Sequence, residues 1–336
     1  MAAQLGDKIY AERMGIGGTV TVQEIVNLAG GGGSPAGANG EIQFNNNGVF
    51  GASQKFKFNE ATGDIQVEGV TAEPSTPASG KIALYTKYIA GKASLKIKDA
   101  NGLDYSMQAA LWGNNITLWN NTNATAGSWI GTVGTGAGTF TQALPSIASV
   151  YTSIKRARYA NVVTTLNQVL GQRQTESMFF RGSVAGQGGF FFFARMGFDA
   201  WQSGCRFFAG MHNNTNVVTA NPSLLNNTVG FCIDDTDNGA ISFLTRGTVA
   251  TKASTGFTAS AGVGYDLYIF CAPNSSQISW RIFDLNTSVE VSGIATLTLP
   301  NAISMLTAGV LASNAALTPV TSVQLGINKI YIDTDH

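Results

Sequence analysis

The chain has 336 residues, of which 44% are hydrophobic, 10% aromatic and only 12% charged, and its formal net charge is zero. This apolar content is sufficient to fill a core and excludes a disordered chain. The lack of any basic excess argues against nucleic-acid binding, which depends on cationic contacts to phosphates.

Glycine, at 40 residues, is the most informative part of the composition. Glycine with asparagine supplies turns, and β-branched and aromatic residues supply strands. We therefore expect an all-β protein, long enough for two or three domains.

Residues 1–40 are predicted to be an attachment segment followed by a glycine-rich hinge. Val22–Ala29 (VQEIVNLA) is expected to form a short helical turn that ends at the glycine run Gly30–Gly33, and a disordered leader is the alternative. The chain starts MAAQLGDKIYAERMG, without the apolar core of a signal peptide, so we expect assembly in a cytoplasm.

Residues 41–108 are predicted to be a shaft of short β-hairpins. Lys55–Phe58 and Asp64–Val70 alternate polar and apolar side chains, with a turn at Glu60–Asp64 between them, and Leu95–Tyr105 repeats this pattern with a turn at Asp99–Gly102. Hairpins of this size are marginally stable alone. We expect three copies to bury their apolar faces on one another around a three-fold axis.

Residues 109–150 are predicted to be an uncharged neck. No residue between Asp104 and Lys155 carries a formal charge, and the tract contains Trp112, Trp119 and Trp129. Such a composition is typical of an interface between chains. A stacking groove for sugars is the alternative.

Residues 151–336 are predicted to be a β-sandwich of the jelly-roll type, because short strands recur between turn residues. The run GGFFFFARM lacks alternation and is expected at the centre of a sheet, buried on both faces. The predicted strands are MFFRGSV, GFFFFARM, CRFFAGM, TVGFCID, AISFLTRG, YDLYIFCA, ISWRIFDL, GIATLTL and KIYID.

Two segments resemble shaft modules of tailed-bacteriophage tail fibres. They are GGSPAGANGEIQFNNNGVFGAS, within Gly30–Ser53, and TPASGKIALYTKYIAGKASLKIKDANGLDYSM; Arg181–Met211 more loosely resembles the C-terminal β-domain of phage tail proteins. The resemblance covers under half of the chain. It implies a homotrimeric virion protein, assembled in the host cytoplasm, that contacts other tail or baseplate proteins through its N-terminus and a host surface glycan or lipopolysaccharide through its C-terminal domain.

A glycan site needs a flat aromatic side chain against the sugar ring and polar groups for the hydroxyls. Trp201 with Arg206, and Trp280 with Arg281, are the predicted platforms, and Asn213 and Asn214 are the predicted hydrogen-bonding residues. The alternative is that both tryptophans belong to the core.

The sequence contains no clear catalytic or metal-binding motif, and we expect no catalytic residue, metal or cofactor. The acidic group Asp234–Asp237 suits a turn, although a polysaccharide-depolymerase tailspike with carboxylates at this position is one alternative function. An EF-hand starting at Asp234 fails because Thr245 stands at its twelfth position, which leaves a looser calcium loop as the alternative. His212 is expected in a loop, without a nucleophile partner.

The cysteines and the most apolar segment of the chain limit the possible functions further. Cys205, Cys232 and Cys271 form no metal-binding spacing and are expected to be small buried hydrophobes. Ala302–Val320 is interrupted by polar residues, so we expect no membrane insertion. The remaining alternative function is a purely structural tail-tip or capsid fibre that recognises nothing.

Overall fold

The computed structural model describes residues 8–13, 16–21, 36–98, 100, 104–106, 115–120, 130–132, 139–162, 166–174, 176–184, 187–214, 219–315 and 323–334. In these ranges every regular element is a β-strand except one 3-10 turn at Pro222–Leu224, which confirms the predicted all-β class. The chain divides into two compact units, the first comprising 1–87 with 95–105 and the second 88–94 with 106–336. Val22–Ala29 and Asp99, with the residues 101–103, lie outside the described residues.

The first unit contains small β-sheets, as the alternating shaft sequence predicts. The strands up to residue 106 are β1 (Lys8–Arg13), β2 (Ile16–Thr21), β3 (Glu41–Asn46), β4 (Val49–Asn59), β5 (Asp64–Val67), β6 (Gly69–Val70), β7 (Ala83–Ile89), β8 (Lys92–Lys98) and β9 (Asp104–Ser106). Residues 88–94, where β7 and β8 meet, and Ser106 belong to the second unit. The sheets are β1–β2, β3–β4–β5 and β6–β7–β8–β9. Asn47 and Gly48 both have positive φ, at 55° and 90°, which is the geometry of a tight hairpin turn between β3 and β4.

One face of the β4–β5 pair is apolar and exposed. Phe56 lies opposite Val67 and Phe58 opposite Ile65, while Lys57 between them points to the other face. Phe56, Phe58 and Ile65 are 43%, 45% and 60% exposed. The apolar side chains on this face of the β4–β5 pair are therefore not buried within the chain.

The second unit is a two-sheet β-sandwich. Its strands are β10 (Asn115–Asn120), β11 (Ile130–Thr132), β12 (Thr139–Ala143), β13 (Arg156–Ala160), β14 (Val169–Gln174), β15 (Phe190–Ala200), β16 (Arg206–His212), β17 (Thr228–Ile233), β18 (Ala240–Arg246), β19 (Ala250–Thr258), β20 (Val263–Cys271), β21 (Ile278–Asp284), β22 (Glu290–Ala295), β23 (Thr307–Ser313) and β24 (Gln324–Thr334).

The strand order defines two large sheets. The eight-stranded sheet runs β12–β13–β24–β15–β20–β21–β22, with β10 also paired to β24, and the seven-stranded sheet runs β11–β14–β23–β16–β17–β18–β19. One continuous core lies between them, with Phe192 and Ile269 from the first sheet and Phe231 and Val310 from the second. The three cysteines are free and buried, as predicted.

The sandwich begins before residue 151, where the sequence boundary was placed. The predicted neck supplies β10, β11 and β12, which pair with β24, β14 and β13. Trp119 is 2% exposed and belongs to the main core. The tract lacks charge because its β10 strand contributes to a buried core; Trp112 and Trp129 lie outside the described residues.

Most predicted strands of the sandwich are confirmed, with exceptions at the edges of the core. GGFFFFARM forms the central strand β15, although Phe193 on its outer side retains some exposure. MFFRGSV forms only a single bridge, between Phe179 and Leu306. Part of the apolar segment 302–320 is β23, whose seven residues are all buried in the middle of the seven-stranded sheet.

No helix among the described residues has the length and apolar character required to cross a membrane.

Candidate functional site

Trp280 and Arg281 lie on opposite faces of β21, because neighbouring residues of a strand point to opposite sides. Trp280 is 4% exposed, and its ring stacks on Phe243 with centroids 5.3 Å apart. Its core position corrects the prediction of a sugar-binding platform. Arg281 points outward and does contribute to the face described below.

Trp201 and Arg206 contact the same turn, Asp234–Gly239, from different sides. Trp201 is half-buried, its ring 4.7 Å from that of Phe198 and packed beside Gly239. Arg206 lies on the outer face of the seven-stranded sheet and donates hydrogen bonds to Asn221 Oδ1 and Asp235 Oδ2, both at 2.7 Å. The structure does not join this tryptophan and this arginine into one platform.

The acidic turn is held by ion pairs. Lys252 Nζ lies 2.6 Å from Asp234 Oδ2 and 2.5 Å from Asp237 Oδ2. Burial by itself raises the pKa of Asp235, but hydrogen bonds from Asn221 and Arg206 and the charge of Arg206 bring that pKa below its usual range. These carboxylates stabilise the turn. In the described part of the chain, no group of three or more His, Cys, Asp or Glu side chains is arranged to hold a metal ion.

The segment Thr219–Asn227 crosses the outer face of the seven-stranded sheet, from Arg206 at the start of β16 to Arg246, which lies in the same row as His212. Arg206 donates to the carbonyl of Thr219, and Arg246 donates to the carbonyl of Ser223. Pro222 is buried over Phe208 and Leu311, and these side chains help to line an apolar cavity of about 20 Å³. That volume accommodates about one water molecule.

Asn213 and Asn214 follow the other end of the same strand, β16. His212 is the last residue of this strand and is completely buried, which corrects the expectation of a loop position. The backbone N–H of Asn214 donates to Nδ1 of His212 at 3.1 Å. Burial, and secondly the positive charge of Arg173, lowers the pKa of His212 to about 4. The imidazole is therefore neutral at pH 7.

The outer face of the eight-stranded sheet is covered at its two ends. At one end the Tyr151 ring lies across Gly264, Gly197 and Gly326 of three neighbouring strands, where a Cβ on Gly264 would lie 2.3 Å from that ring. At the other end Lys92 pairs with Asp333 at 2.6 Å. Glycine is required under Tyr151 because any side chain would occupy the space of the ring.

Between these two covers lie two parallel rows of side chains, which we call the two-row face. The strand registers place Tyr331, Phe193, Tyr268 and Arg281 side by side in one row, and Lys329, Arg195, Asp266 and Phe283 in the next. All except Asp266 are partly exposed. The first row is mainly aromatic and the second mainly charged.

The side chains of the two-row face hold one another in place. Arg195 and Asp266 form a bidentate pair with two N–O distances of 2.7 Å. The rings of Phe193 and Tyr268 have centroids 4.9 Å apart, and the Arg281 guanidinium lies 5.2 Å from the Tyr268 ring. Burial, and then the charge of Asp266, raises the pKa of Tyr268, so its hydroxyl stays protonated at neutral pH.

Of the residues on this face, the sequence analysis named only Arg281. The spacing of the other residues in the sequence nevertheless indicated the face. Tyr268 and Asp266 are two residues apart in β20, Phe193 and Arg195 in β15, and Tyr331 and Lys329 in β24. A spacing of two places each pair on one face of its strand. Only strand order and register, which depend on the tertiary structure, align the three pairs.

Comparison with known proteins gives distant structural likenesses only. No protein family and no curated protein sequence matches the chain. Among solved structures, a Shewanella oneidensis protein of unknown function superposes with a TM-score of 0.48 at 11% identity, over 66% of this chain and 86% of that one. The lectin-like defence protein arcelin-5 of Phaseolus vulgaris gives 0.45 at 12% identity, over 65% and 98%. Lectin I of Ulex europaeus, solved with a fucose glycoside, gives 0.44 at 10% identity, over 66% and 98%.

Proposed function

We propose that this chain is a tailed-phage fibre protein that binds a host surface glycan through the two-row face of its sandwich. The N-terminal segment, residues 1–40, attaches to other tail or baseplate proteins, the small sheets of the first unit hold three copies together, and the sandwich contacts the host. The observation that carries the binding role is the row of aromatic side chains beside a row of charged ones on an otherwise covered sheet.

The chemistry of the two-row face suits a saccharide. Tyr268 and Phe193 offer apolar surface of the kind that packs against a sugar ring, and the neighbouring Arg195–Asp266 pair offers polar groups. A carboxylate has about four lone-pair positions and a guanidinium five N–H donors, so this bidentate pair keeps capacity for sugar hydroxyls. The pair is preorganised, which lowers the entropy that binding costs.

The exposed face of the first unit supports self-association. Phe56, Phe58, Ile65 and Val67 form an apolar surface on a three-stranded sheet whose opposite side carries Lys57. Burial of apolar surface contributes about 25 cal/mol per Å². A second and third copy of the same face is the partner that the shaft resemblance suggests, and three linked sandwiches convert weak glycan contacts into firm adhesion.

The depolymerase alternative is less well supported than adhesion. Its candidate carboxylates, Asp234, Asp235 and Asp237, are engaged by Lys252 and Arg206. A hydrolase needs one carboxyl group free to transfer a proton and a second to act as base or nucleophile. We therefore propose an adhesive rather than a hydrolytic role for this virion protein.

The test is adsorption of the labelled full-length chain to a panel of bacterial strains, with purified lipopolysaccharides as competitors. We expect saturable binding to at least one strain, and a loss of affinity of about tenfold or more in Tyr268→Ala, since truncation of a tyrosine central to a binding face costs about 2 kcal/mol or more. Ile303→Ala, an exposed apolar residue outside the face, is the matched control and should bind as the parent does.

The outcomes separate the alternatives. Binding that Tyr268→Ala leaves unchanged would place the receptor site elsewhere. Failure of the trimeric chain to bind any strain would favour a purely structural fibre. A monomer in sedimentation equilibrium at micromolar concentration would contradict the self-association of the first unit, and Phe58→Lys should dissociate the trimer if the proposed interface is correct.

A further inference from the structure

Among the described residues on the outer face of the seven-stranded sheet, two side chains carry buried hydrogen-bond donors without a hydrogen-bond partner. They are Arg173 on β14, through Nε and Nη1, and His212 on β16, through Nε2. An unsatisfied buried polar group costs about 1–3 kcal/mol, and more when it is charged. Groups of this kind in a native fold point to a partner outside the chain.

All three unbonded atoms are donors. The guanidinium has only N–H groups. In His212, Nδ1 accepts the hydrogen bond from the Asn214 backbone, so in the neutral ring the proton resides on Nε2. A partner of these atoms must therefore be an acceptor, and beside a guanidinium the favoured acceptor is an anion.

The charge around Arg173 also favours an anion as the partner. Among the residues that the structure describes, no carboxylate forms an ion pair with Arg173, and burial lowers the pKa of its guanidinium. Every other arginine of the seven-stranded sheet is anchored, since Arg206 pairs with Asp235 and Arg246 donates to Ser223 and Asn226. Arg173 is thus the unpaired cation of this sheet within the described residues.

Glycine occupies the strand positions beside Arg173 on the two neighbouring strands. Arg173 lies opposite Gly309, and Gly309 lies opposite Gly210, so no side chain rises from the two strands next to Arg173. His212 is two residues beyond Gly210 on the same face. Strand spacings place the Cα atoms of Arg173 and His212 about 12 Å apart. This separation allows two side chains that extend toward each other to hold one small group.

The hydroxyl groups beside His212 already donate hydrogen bonds within the chain, so they do not compete with Arg173 and His212 for a bound group. Thr307 Oγ1, beside His212, donates to the Gln174 carbonyl at 2.8 Å. Thr228 Oγ1, on the other side of His212, donates to the Leu225 carbonyl at 2.7 Å. The Phe208 ring packs edge-on against the imidazole, with centroids 5.4 Å apart, and fixes its orientation. Arg173 keeps some exposed surface, and Asn213 next to the site is exposed.

We propose that Arg173 and His212 form an oxyanion-binding site, specific for a carboxylate or phosphate group. Arg173 donates from its guanidinium and His212 from Nε2–H, over a floor made by Gly309 and Gly210. The site is on the sheet opposite to the two-row face, and the inference does not depend on the fibre assignment. Acidic sugars and phosphorylated sugars carry the groups that it would take.

Isothermal titration of the full-length chain with three probes tests the proposal. The probes are inorganic phosphate, D-glucuronate and, as the uncharged control, D-glucose. We expect saturable binding of phosphate, glucuronate or both, and none of glucose. Arg173→Gln should weaken anion binding at least tenfold, and Arg173→Lys should restore part of it. Arg158→Gln, a half-exposed arginine of the other sheet bonded to Thr141, is the matched control.

A second readout separates a binding role from a structural one. In nitrogen-15 NMR spectra of histidine-labelled protein, the anion should shift the Nε2–H signal of His212 in the parent and in Arg158→Gln, but not in Arg173→Gln. Preference between phosphate and glucuronate identifies the source of the oxyanion. Equal affinity of Arg173→Gln and the parent, binding of glucose at the same strength, or no anion binding up to tens of millimolar would overturn the proposal. Bacterial adsorption through the two-row face is measured separately, so either proposal can fail alone.

Discussion

The outer faces of the two sheets differ in the partners that their charged side chains have. On the eight-stranded sheet Arg195 pairs with Asp266 and Arg281 pairs with Glu290, and the rings of Phe193 and Tyr268 lie beside them. On the seven-stranded sheet the segment Thr219–Asn227 is bonded to Arg206 and Arg246, while buried donors of Arg173 and His212 have no hydrogen-bond partner among the described residues. Burial of an ionisable base, His212, makes the second face sensitive to pH.

The largest effect should come from the buried pair at the end of the eight-stranded sheet. Arg156 Nε lies 3.0 Å from Asp199 Oδ2, both side chains are at most 10% exposed, and Tyr151 packs on the pair. Asp199→Asn removes the charge that compensates Arg156. We expect a loss of about 3–5 kcal/mol in the free energy of unfolding, measured with urea.

Two variants check this reasoning. Arg156→Met in the Asp199→Asn background should recover much of the loss, because no uncompensated charge then remains buried. Glu176→Gln, an exposed residue, should change stability by less than about 0.5 kcal/mol. A loss below about 1 kcal/mol in Asp199→Asn would mean that water reaches the Arg156 guanidinium in the native state.

The second effect concerns pH and the seven-stranded sheet. The pKa of His212 is lowered from 6.5 to about 4 on folding, so the unfolded chain binds this proton more tightly. The contribution of the neutral His212 ring to the free energy of unfolding is complete above pH 6.5. It declines as the pH falls and is fully lost below about pH 4. The shift corresponds to about 3 kcal/mol. Urea unfolding between pH 7.5 and pH 4, compared with His212→Gln, isolates it.

In His212→Gln the additional loss of stability between pH 6.5 and pH 4 should disappear. Parallel curves for the parent and this variant would show that His212 titrates normally and is not as buried as the fold indicates. Millimolar phosphate should reduce the pH dependence of the parent if the oxyanion site is occupied, because an anion stabilises the protonated imidazole.

The smallest effect should come from the pair within the two-row face. The Arg195 side chain is 32% exposed, so its ion pair with Asp266 is screened by solvent. Arg195→Gln should lower the free energy of unfolding by less than about 1 kcal/mol while weakening adsorption to bacteria. A larger loss of stability would show that the Arg195–Asp266 pair has a structural role. Unchanged adsorption would show that Arg195 does not contribute to binding.

Local sequence patterns predicted the elements better than the sites. Strict spacing by two in the β-rich segments, and the Asn47–Gly48 turn, sufficed for most strands. The same spacing shows that Trp280 and Arg281 point to opposite faces, although it does not say which face is the core. The boundary at residue 151 was misplaced because pairing of β10 with β24 joins residues more than 200 positions apart.

The sequence alone determined that this protein is all-β, that its cysteines are buried, and that its C-terminal domain is a β-sandwich. These properties follow from composition and from side-chain periodicity, which act over a few residues. Only the tertiary structure decided which side chains meet. Tyr331, Phe193 and Tyr268 form a row, and Arg173 faces His212 across Gly309, because long-range strand pairing sets the order and register of the sheets.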